Sequence, residues 1–525
     1  MGEPSLSEIV ETSARGSMYL FFGYASSLII LGIGSIIVGR LLGPEGYGLF
    51  SLSLVVPSLI LSLIDPGVGA ATTRFSAKFK AEGRNDLVAR TLKTSLLFRF
   101  PIGVISAVFC FLLADVLAAS VLNRPEIGGL IRFSTLMIIF QMLFNYLSDS
   151  FIGLDKMQGN TILLNTEALV KAILSPVLVI LGFSVLGAVA GHVVSFAVGG
   201  LVGGIYFLKV YRELGRPPDD GFWDDIRKMI SYGFPLYASG LIGAVLSQLQ
   251  IILLAYFVAN DAIGNFNVAV RLLAMAGVII QPFSSLFPAF SKVKRGSSEL
   301  EGLFRLSVRY TAMLVVPVTV LIAIVSKDIV YTLYGRVYVL APLYLSLYAL
   351  TNIYAGLGSV VIPHLVNGAG ETKIILYNSL VYMAVFVPLA YLLTSSYNVI
   401  GLIAAILVAN TVSFSYTLWS AVKKIRVRLD LRESSRIYLA SLISAAPILI
   451  LSYYIQFYYR FMNLAFESAV FVFVYLSLLP IVGALKKSDL DNIGTLFGRF
   501  RIIQPIVKLI IRYESKLLST LSKDH

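Results

Sequence analysis

Residues 40–80 read RLLGPEGYGLFSLSLVVPSLILSLIDPGVGAATTRFSAKFK, and this stretch decides the fold. A tight Gly-Pro loop, Leu42-Gly43-Pro44-Glu45-Gly46, is followed after Tyr47 by more than twenty mostly apolar residues. At about 1.5 Å per helical residue, such a run crosses a hydrocarbon layer of roughly 30 Å. It closes on the cations Arg74, Lys78 and Lys80. Ser51, Ser58, Asp65 and Thr72 recur in it at intervals of seven residues, which predicts one polar stripe along a helix. On a spanning helix that stripe faces protein or water rather than lipid.

Similar stretches recur along the whole chain. Of its 525 residues 57% are hydrophobic and 14% charged, which excludes a soluble globular protein. Apolar segments of spanning length fall at residues 17–39, 48–70, 94–119, 128–151, 162–182, 185–208, 232–258, 264–290, 304–326, 339–366, 374–394, 399–421, 437–457 and 465–485. The expected fold class is an all-α polytopic membrane protein of about 14 transmembrane helices. The net charge of +13 lies between these segments, where it marks topology and not a nucleic-acid footprint. Cys110 is the single cysteine, so no intramolecular disulfide forms, and the histidines His192, His364 and His525 leave little for a metal centre. Glu3, Glu8 and Glu11 beside Arg15, ahead of a long apolar run, predict a retained first span and no cleaved signal peptide.

Lysine and arginine set the orientation. Arg74 to Lys93, Lys209 to Lys228, Lys292 to Arg309 and Lys423 to Arg436 are basic connections, whereas the opposite side carries only Arg40, Arg124, Lys327, Arg336 and Arg460. Both termini are therefore expected in the cytoplasm. The chain also repeats itself: Gly48-Leu49-Phe50-Ser51 aligns with Gly264-Asn265-Phe266-Asn267 at an offset of 216 residues (264 − 48), and Pro66 with Pro282 and Lys78 with Lys294 at the same offset. Val185 to Ala188 aligns with Val399 to Leu402 at 214 (401 − 187). Two six-helix lobes of like orientation follow, a parallel repeat about an axis along the membrane normal. The domains read as lobes at 1–208 and 231–421 joined by a cytoplasmic linker at 209–230, two extra helices within 422–485, and a basic amphipathic cytoplasmic tail at 486–525. That tail sets Phe497, Ile502, Ile503, Ile506, Val507 and Ile510 against Arg499, Arg501, Lys508 and Arg512; it lies along the inner leaflet or serves only to solubilise.

The run R-LLGPEGYGLFSLSL with the following D-PGVG-A-TRF resembles the N-terminal signature of polysaccharide-biosynthesis membrane proteins, the oligosaccharide flippases of the multidrug/oligosaccharidyl-lipid/polysaccharide (MOP) exporter superfamily. Gly153 to Met157 and Asn367 to Lys373 look like that family's short glycine loops in the two halves. The resemblance implies two six-helix lobes facing each other across a central cavity, with residues 437–485 as the extra C-terminal pair found in many members.

Nothing in the sequence matches a hydrolase or transferase site, and there is no G-x-x-x-x-G-K-[ST] phosphate loop. The chain reads as a non-enzyme without cofactors, the coupling ion being open between H+ and Na+. The ionisable residues inside the spans carry the remaining signal, each costing about 2.5 to 3.5 kcal/mol on insertion scales. Lys171 lies near the middle of the fifth span with Glu167 one turn earlier, either an i,i+4 pair or a cavity cation beside an acid. Arg271 has no acidic residue within a turn and is the leading candidate for an anion contact. Arg40 and Arg74 close the first two spans as interfacial anchors or cavity-rim cations, and Asp65 is either an ion-coupling site or a partner for Arg74. Arg132 reads as a snorkelling residue, and His192 and His364 as packed ones. Ser58, Gln141, Asn145, Ser247 and Gln250 are candidate lining residues, although such residues also serve close helix packing.

The resemblance implies a flippase that moves a polyprenyl-phosphate- or pyrophosphate-linked oligosaccharide from the inner to the outer leaflet of the cell membrane. It would work beside the glycosyltransferases or polymerases of a glycan pathway. A multidrug or organic-cation antiporter of the same superfamily is the first alternative, and it calls for acids in the cavity. A membrane-embedded glycosyltransferase or polymerase is the second, and it calls for a large outer loop that the short outer connections do not supply.

Overall fold

The computed structural model describes residues 6–218, 221–277, 290, 293–487, 489–490 and 504–521. Among them the regular structure is helical throughout, with no strand. The chain divides into two compact units. The first comprises residues 1–275, 337–340 and 383–405, and the second 276–336, 341–382 and 406–525. This division falls later than the 209–230 linker read from the repeat, because the first unit takes in residues 231–275 as well.

In the first unit, α1 (Leu6–Leu63) is broken inside by Gly43, at φ 67° and ψ 180°. The sequence dictates that break: Pro44 brings no N–H and disfavours helical geometry at the residue before it, and glycine accepts the positive φ without a Cβ clash. A second break ends α1 at Leu63, and Asp65-Pro66-Gly67 leads into α2 (Val68–Ala81). The expected second span of 48–70 is thereby corrected. Asp65 lies between two helices, and the stripe from Ser51 to Thr72 does not run along one; Thr72 Oγ1 instead donates to Val68 O at 2.8 Å on α2 and to Ser95 Oγ at 2.7 Å.

The chain continues through α3 (Asn85–Leu112), α4 (Ala114–Ser120), α5 (Gly128–Ser134) and α6 (Leu136–Gly153). The fifth and sixth predicted spans form α7 (Met157–Leu178) and α8 (Ser184–Arg212), joined by a single π-helical turn, Val179–Phe183, with Gly182 at φ 95°. Small residues let these helices pack backbone to backbone: Gly191 faces Ser175 of α7, and Gly34 of α1 faces Ala172. Phe144, Phe151, Leu163, Val193, Phe196 and Phe207 fill the core between α6, α7 and α8. The unit is completed by α9 (Phe222–Phe257) and α10 (Asn260–Ala276).

The second unit opens with α11 (Ser298–Leu333), capped by Ser297, whose Oγ accepts from the Leu300 N–H at 3.2 Å. Next, α12 (Ala341–Ala349) runs through a 3-10 segment, Leu350–Leu357, into α13 (Ile362–Gly368), bent by 48°. The 53-residue α14 (Lys373–Ile425) belongs to this unit only at its two ends, and its residues 383–405, with the break at Tyr397 and Asn398, belong to the first. Then come α15 (Leu431–Tyr454), α16 (Arg460–Ile481) and α17 (Gln504–Leu521). The tail helix α17 turns apolar residues onto the unit's core: Val507 is buried, Ile511 and Leu518 pack against the cluster containing Phe471 and Tyr475, and Tyr513 hydroxyl meets Ser477 Oγ of α16 at 2.7 Å. Phe497, Arg499, Arg501, Ile502 and Ile503 of the predicted amphipathic tail lie outside the described residues, as does the side chain of Ile506.

Nine helices among the described residues are long and apolar enough to cross a membrane, or ten if the bent α12–α13 pair forms one span. The expectation of fourteen differs for two reasons. Gly23–Leu63, Met157–Arg212 and Lys373–Ile425, of 41, 56 and 53 residues, each fuse two predicted spans across a break, and of the predicted 264–290 span residues 278–289 lie outside the description.

Candidate functional site

In the first unit, α1, α7, α8 and α10 line a partly open cavity of about 120 Å³. Two cations line it, Lys171 from α7 and Arg271 from α10, together with Ser35, Tyr47, Ser175 and His192. The Ser35 and Tyr47 hydroxyls meet at 2.7 Å across the Gly43 break. The His192 ring stands edge-on to Phe196 at 5.2 Å and to Phe50 at 6.3 Å, and its buried Nδ1 has no hydrogen-bond partner among the described residues.

Each cation has a different setting. Glu167, buried one turn before Lys171, places Oε1 3.9 Å from Nζ and accepts from Ser195 Oγ at 3.3 Å. Arg271 is exposed, and among the described residues no carboxylate lies within 4.0 Å of it. Two cations against one carboxylate leave a net positive charge facing a cavity walled by Leu28, Val38, Leu54 and Met275. In such a low-dielectric setting attraction for an anion is far stronger than in water. A guanidinium fork and an ammonium together suit a phosphate or carboxylate.

A second charged cluster lies among α2, α3 and α6. Arg99 is 3% exposed, with Nη2 2.9 Å from Asp65 Oδ2 and Nη1 2.8 Å from Asp149 Oδ2. Asp65 also accepts from the Gly69 N–H at 3.2 Å, so it caps the start of α2. Asp65 pairs with Arg99 here, not with Arg74, the partner weighed from the sequence. Sequence reasoning missed Arg99 and Asp149, although each is an ionisable residue inside an expected span, 94–119 and 128–151, and the two are of opposite sign.

The remaining candidates are scattered. Arg74 lies over the Tyr232 ring at 4.1 Å, and Arg40 is exposed; neither lines the cavity that holds Lys171 and Arg271. Asn145 is exposed, and Ser247 is exposed and bonded to Gly243 O of its own helix at 2.9 Å. Ser58, Gln141 and Gln250 are half-buried, away from the cavity, and Gln141 Oε1 has no partner among the described residues. Arg132 pairs with Asp115, and His364 lies on α13, outside the cavity.

A multi-pass bundle of this kind is the fold of the MOP-superfamily transporters. The chain superposes on the lipid II flippase MurJ in its inward closed conformation with a TM-score of 0.70, covering 89% of this chain and 98% of that one at 14% identity. It matches an inward-facing multidrug-resistance MATE transporter with a TM-score of 0.62 over 76% of this chain and 94% of that one, at 17% identity. At these identities the likeness is one of fold. The family is shown by the sequence: residues 13–294 match the model described as polysaccharide biosynthesis protein, and the chain belongs to that family. A relative, the teichuronic acid biosynthesis protein TuaB of Bacillus subtilis (strain 168), is 23% identical over 299 residues, which span 55% of this chain and 58% of that protein.

Proposed function

We propose that the protein is a flippase that carries a polyprenyl-phosphate- or pyrophosphate-linked oligosaccharide from the inner to the outer leaflet of the cell membrane. Its termini would be cytoplasmic. The observation that carries this reading is the pairing of Lys171 and Arg271 in one cavity. Two cations there can hold a phosphate whose negative charge would otherwise oppose passage, while the sugars cross in water and the lipid tail stays in the bilayer. The polysaccharide-biosynthesis family and the MurJ-like fold support the same direction. No bond is made or broken, so the protein acts as a carrier beside enzymes that build and polymerise the glycan.

The Asp65–Arg99–Asp149 cluster supplies the coupling site in this reading. Two carboxylates share one guanidinium, and the surplus negative charge suits H+ or Na+. A multidrug antiporter is the weaker reading, because both charged residues that line the cavity are cations.

Export of the lipid-linked glycan in cells carrying Arg271→Ala or Lys171→Ala, measured with membrane abundance, tests the proposal. Loss of export at normal abundance is expected. Full export by a normally abundant double variant would overturn it.

A further inference from the structure

The second unit holds a pocket of a different character. It has a volume of about 180 Å³ and lies among the 3-10 segment Leu350–Leu357, the start of α13 and the two ends of α14, all within that unit. Seven of the ten side chains that line it are uncharged polar groups, and none of the ten is an acid, a lysine, an arginine or a histidine. It shares no residue with the cavity of Lys171 and Arg271.

The hydrogen-bonding capacity of this pocket is only partly used. Thr417 Oγ1 lies 3.0 Å from Ser413 O, one turn back, and 2.7 Å from Asn378 Oδ1. Ser413 Oγ donates to Asn410 O at 3.3 Å. Such hydroxyls spend their protons within the chain and keep lone pairs that can accept. The side-chain amide of Asn410, the Nδ2 of Asn378 and the hydroxyl of Ser359 make no hydrogen bond among the described residues. Donors and acceptors therefore line one small space. Polar residues also serve helix packing, but packing residues bond to a neighbouring helix, which the Asn410 and Ser359 side chains do not.

One wall is aromatic. The Tyr354 and Phe414 rings stand 5.6 Å apart, tilted by 38°, and the Tyr354 hydroxyl meets Thr411 Oγ1. A ligand that suits this set is polar and neutral. An anion would meet no counter-charge, and an apolar molecule would leave the amides unpaired; both are costly. A sugar ring offers hydroxyls that donate and accept around its rim, and C–H groups on its faces that lie against an aromatic ring. The pocket is several times the roughly 30 Å³ share of one water, room for a single ring and not for a chain of them.

We propose that this pocket is a subsite for one uncharged sugar residue of the lipid-linked glycan and that it discriminates against acidic sugars. The proposal rests on the flippase reading for the source of its ligand. It adds a choice among sugars that a cavity selecting for negative charge does not supply.

The test uses the full chain in lipid nanodiscs, free of sugar-based detergent. It is titrated with the methyl β-glycosides of glucose, galactose, N-acetylglucosamine and glucuronic acid, and with tetraphenylphosphonium as a lipophilic cation, and binding is followed by saturation-transfer NMR. At least one neutral glycoside should bind, and the glucuronide should bind about tenfold more weakly than that one. Asn410→Leu should weaken the neutral glycoside about tenfold as well. If that variant is lost from the membrane, Ser359→Ala, which removes a hydroxyl with no partner among the described residues, should weaken it to a lesser degree. No binding of any neutral glycoside, equal binding of the glucuronide, tighter binding of the phosphonium, or unchanged glycoside binding in the abundant variants would each overturn the subsite. Failure of the carrier reading is separate: it would show as full export by the Arg271 and Lys171 variants, whatever the glycoside titration.

Discussion

Asp149 and Arg99, fifty residues apart in sequence, meet at 2.8 Å inside the first unit, and the other guanidinium nitrogen of Arg99 holds Asp65 at 2.9 Å. The guanidinium is 3% exposed and joins two helices of the bundle to the break between α1 and α2. Removing it leaves two carboxylates close together without a counter-charge, a loss of about 3 to 5 kcal/mol for a broken buried pair. Arg99→Leu should therefore fall sharply in membrane abundance, and Asp65→Asn with Asp149→Asn in the same chain should restore part of it. An abundance assay on the single and triple variants decides; a normally abundant Arg99→Leu would show that the cluster has no structural weight.

Either carboxylate alone can balance Arg99, so the single neutralisations separate structure from coupling. Asp149→Asn should keep near-normal abundance and change the dependence of export on the proton or sodium gradient. Transport assayed with each gradient collapsed in turn checks this. Unaltered gradient dependence in both Asp149→Asn and Asp65→Asn would remove the cluster from the coupling mechanism.

Lys171 and Arg271 are not equivalent. The Lys171 ammonium is already partly balanced by Glu167 at 3.9 Å, whereas Arg271 has no carboxylate at that range among the described residues. Arg271→Lys should recover only part of export, because an ammonium lacks the planar donor fork. Glu167→Gln should bind an anionic substrate more tightly and release it more slowly, seen as lower export at normal abundance. Faster export by Glu167→Gln would show that Glu167 hinders binding and nothing else.

Much of this was legible along the chain, and the reason lies in which interactions are local. Gly43-Pro44 announces its own break, Glu167 and Lys171 are one helical turn apart, and the apolar runs report their membrane class directly. Asp65-Pro66-Gly67 carried the same kind of turn signal as Gly43-Pro44, but the seven-residue polar spacing masked it. The contacts between distant segments were not legible. In a bilayer the lipid-facing and core-facing sides of a helix are equally apolar, so hydropathy cannot say which face meets which neighbour. Arg74 on Tyr232, Arg99 on Asp149, and the sharing of one cavity by Lys171 and Arg271 all depend on that choice.

The tail helix gives a pH-dependent prediction. Glu514 on α17 is 1% exposed against the α16 side of the second unit, and neither carboxylate oxygen has a hydrogen-bond partner among the described residues. Burial pushes its carboxyl from 4.5 up to about 7. A carboxyl whose value rises on docking favours the docked state while it is protonated. Docking is therefore strongest below about pH 4.5 and weakens as the pH rises toward and through about 7, where the buried group must ionise or leave. Hydrogen exchange of residues 504–521 should accelerate between pH 5 and pH 8 more than the intrinsic rate explains. Glu514→Gln, neutral at every pH, should hold the helix in place across that range and abolish the excess. An identical pH profile in the wild-type and Glu514→Gln chains would show that some other group controls the docking of α17.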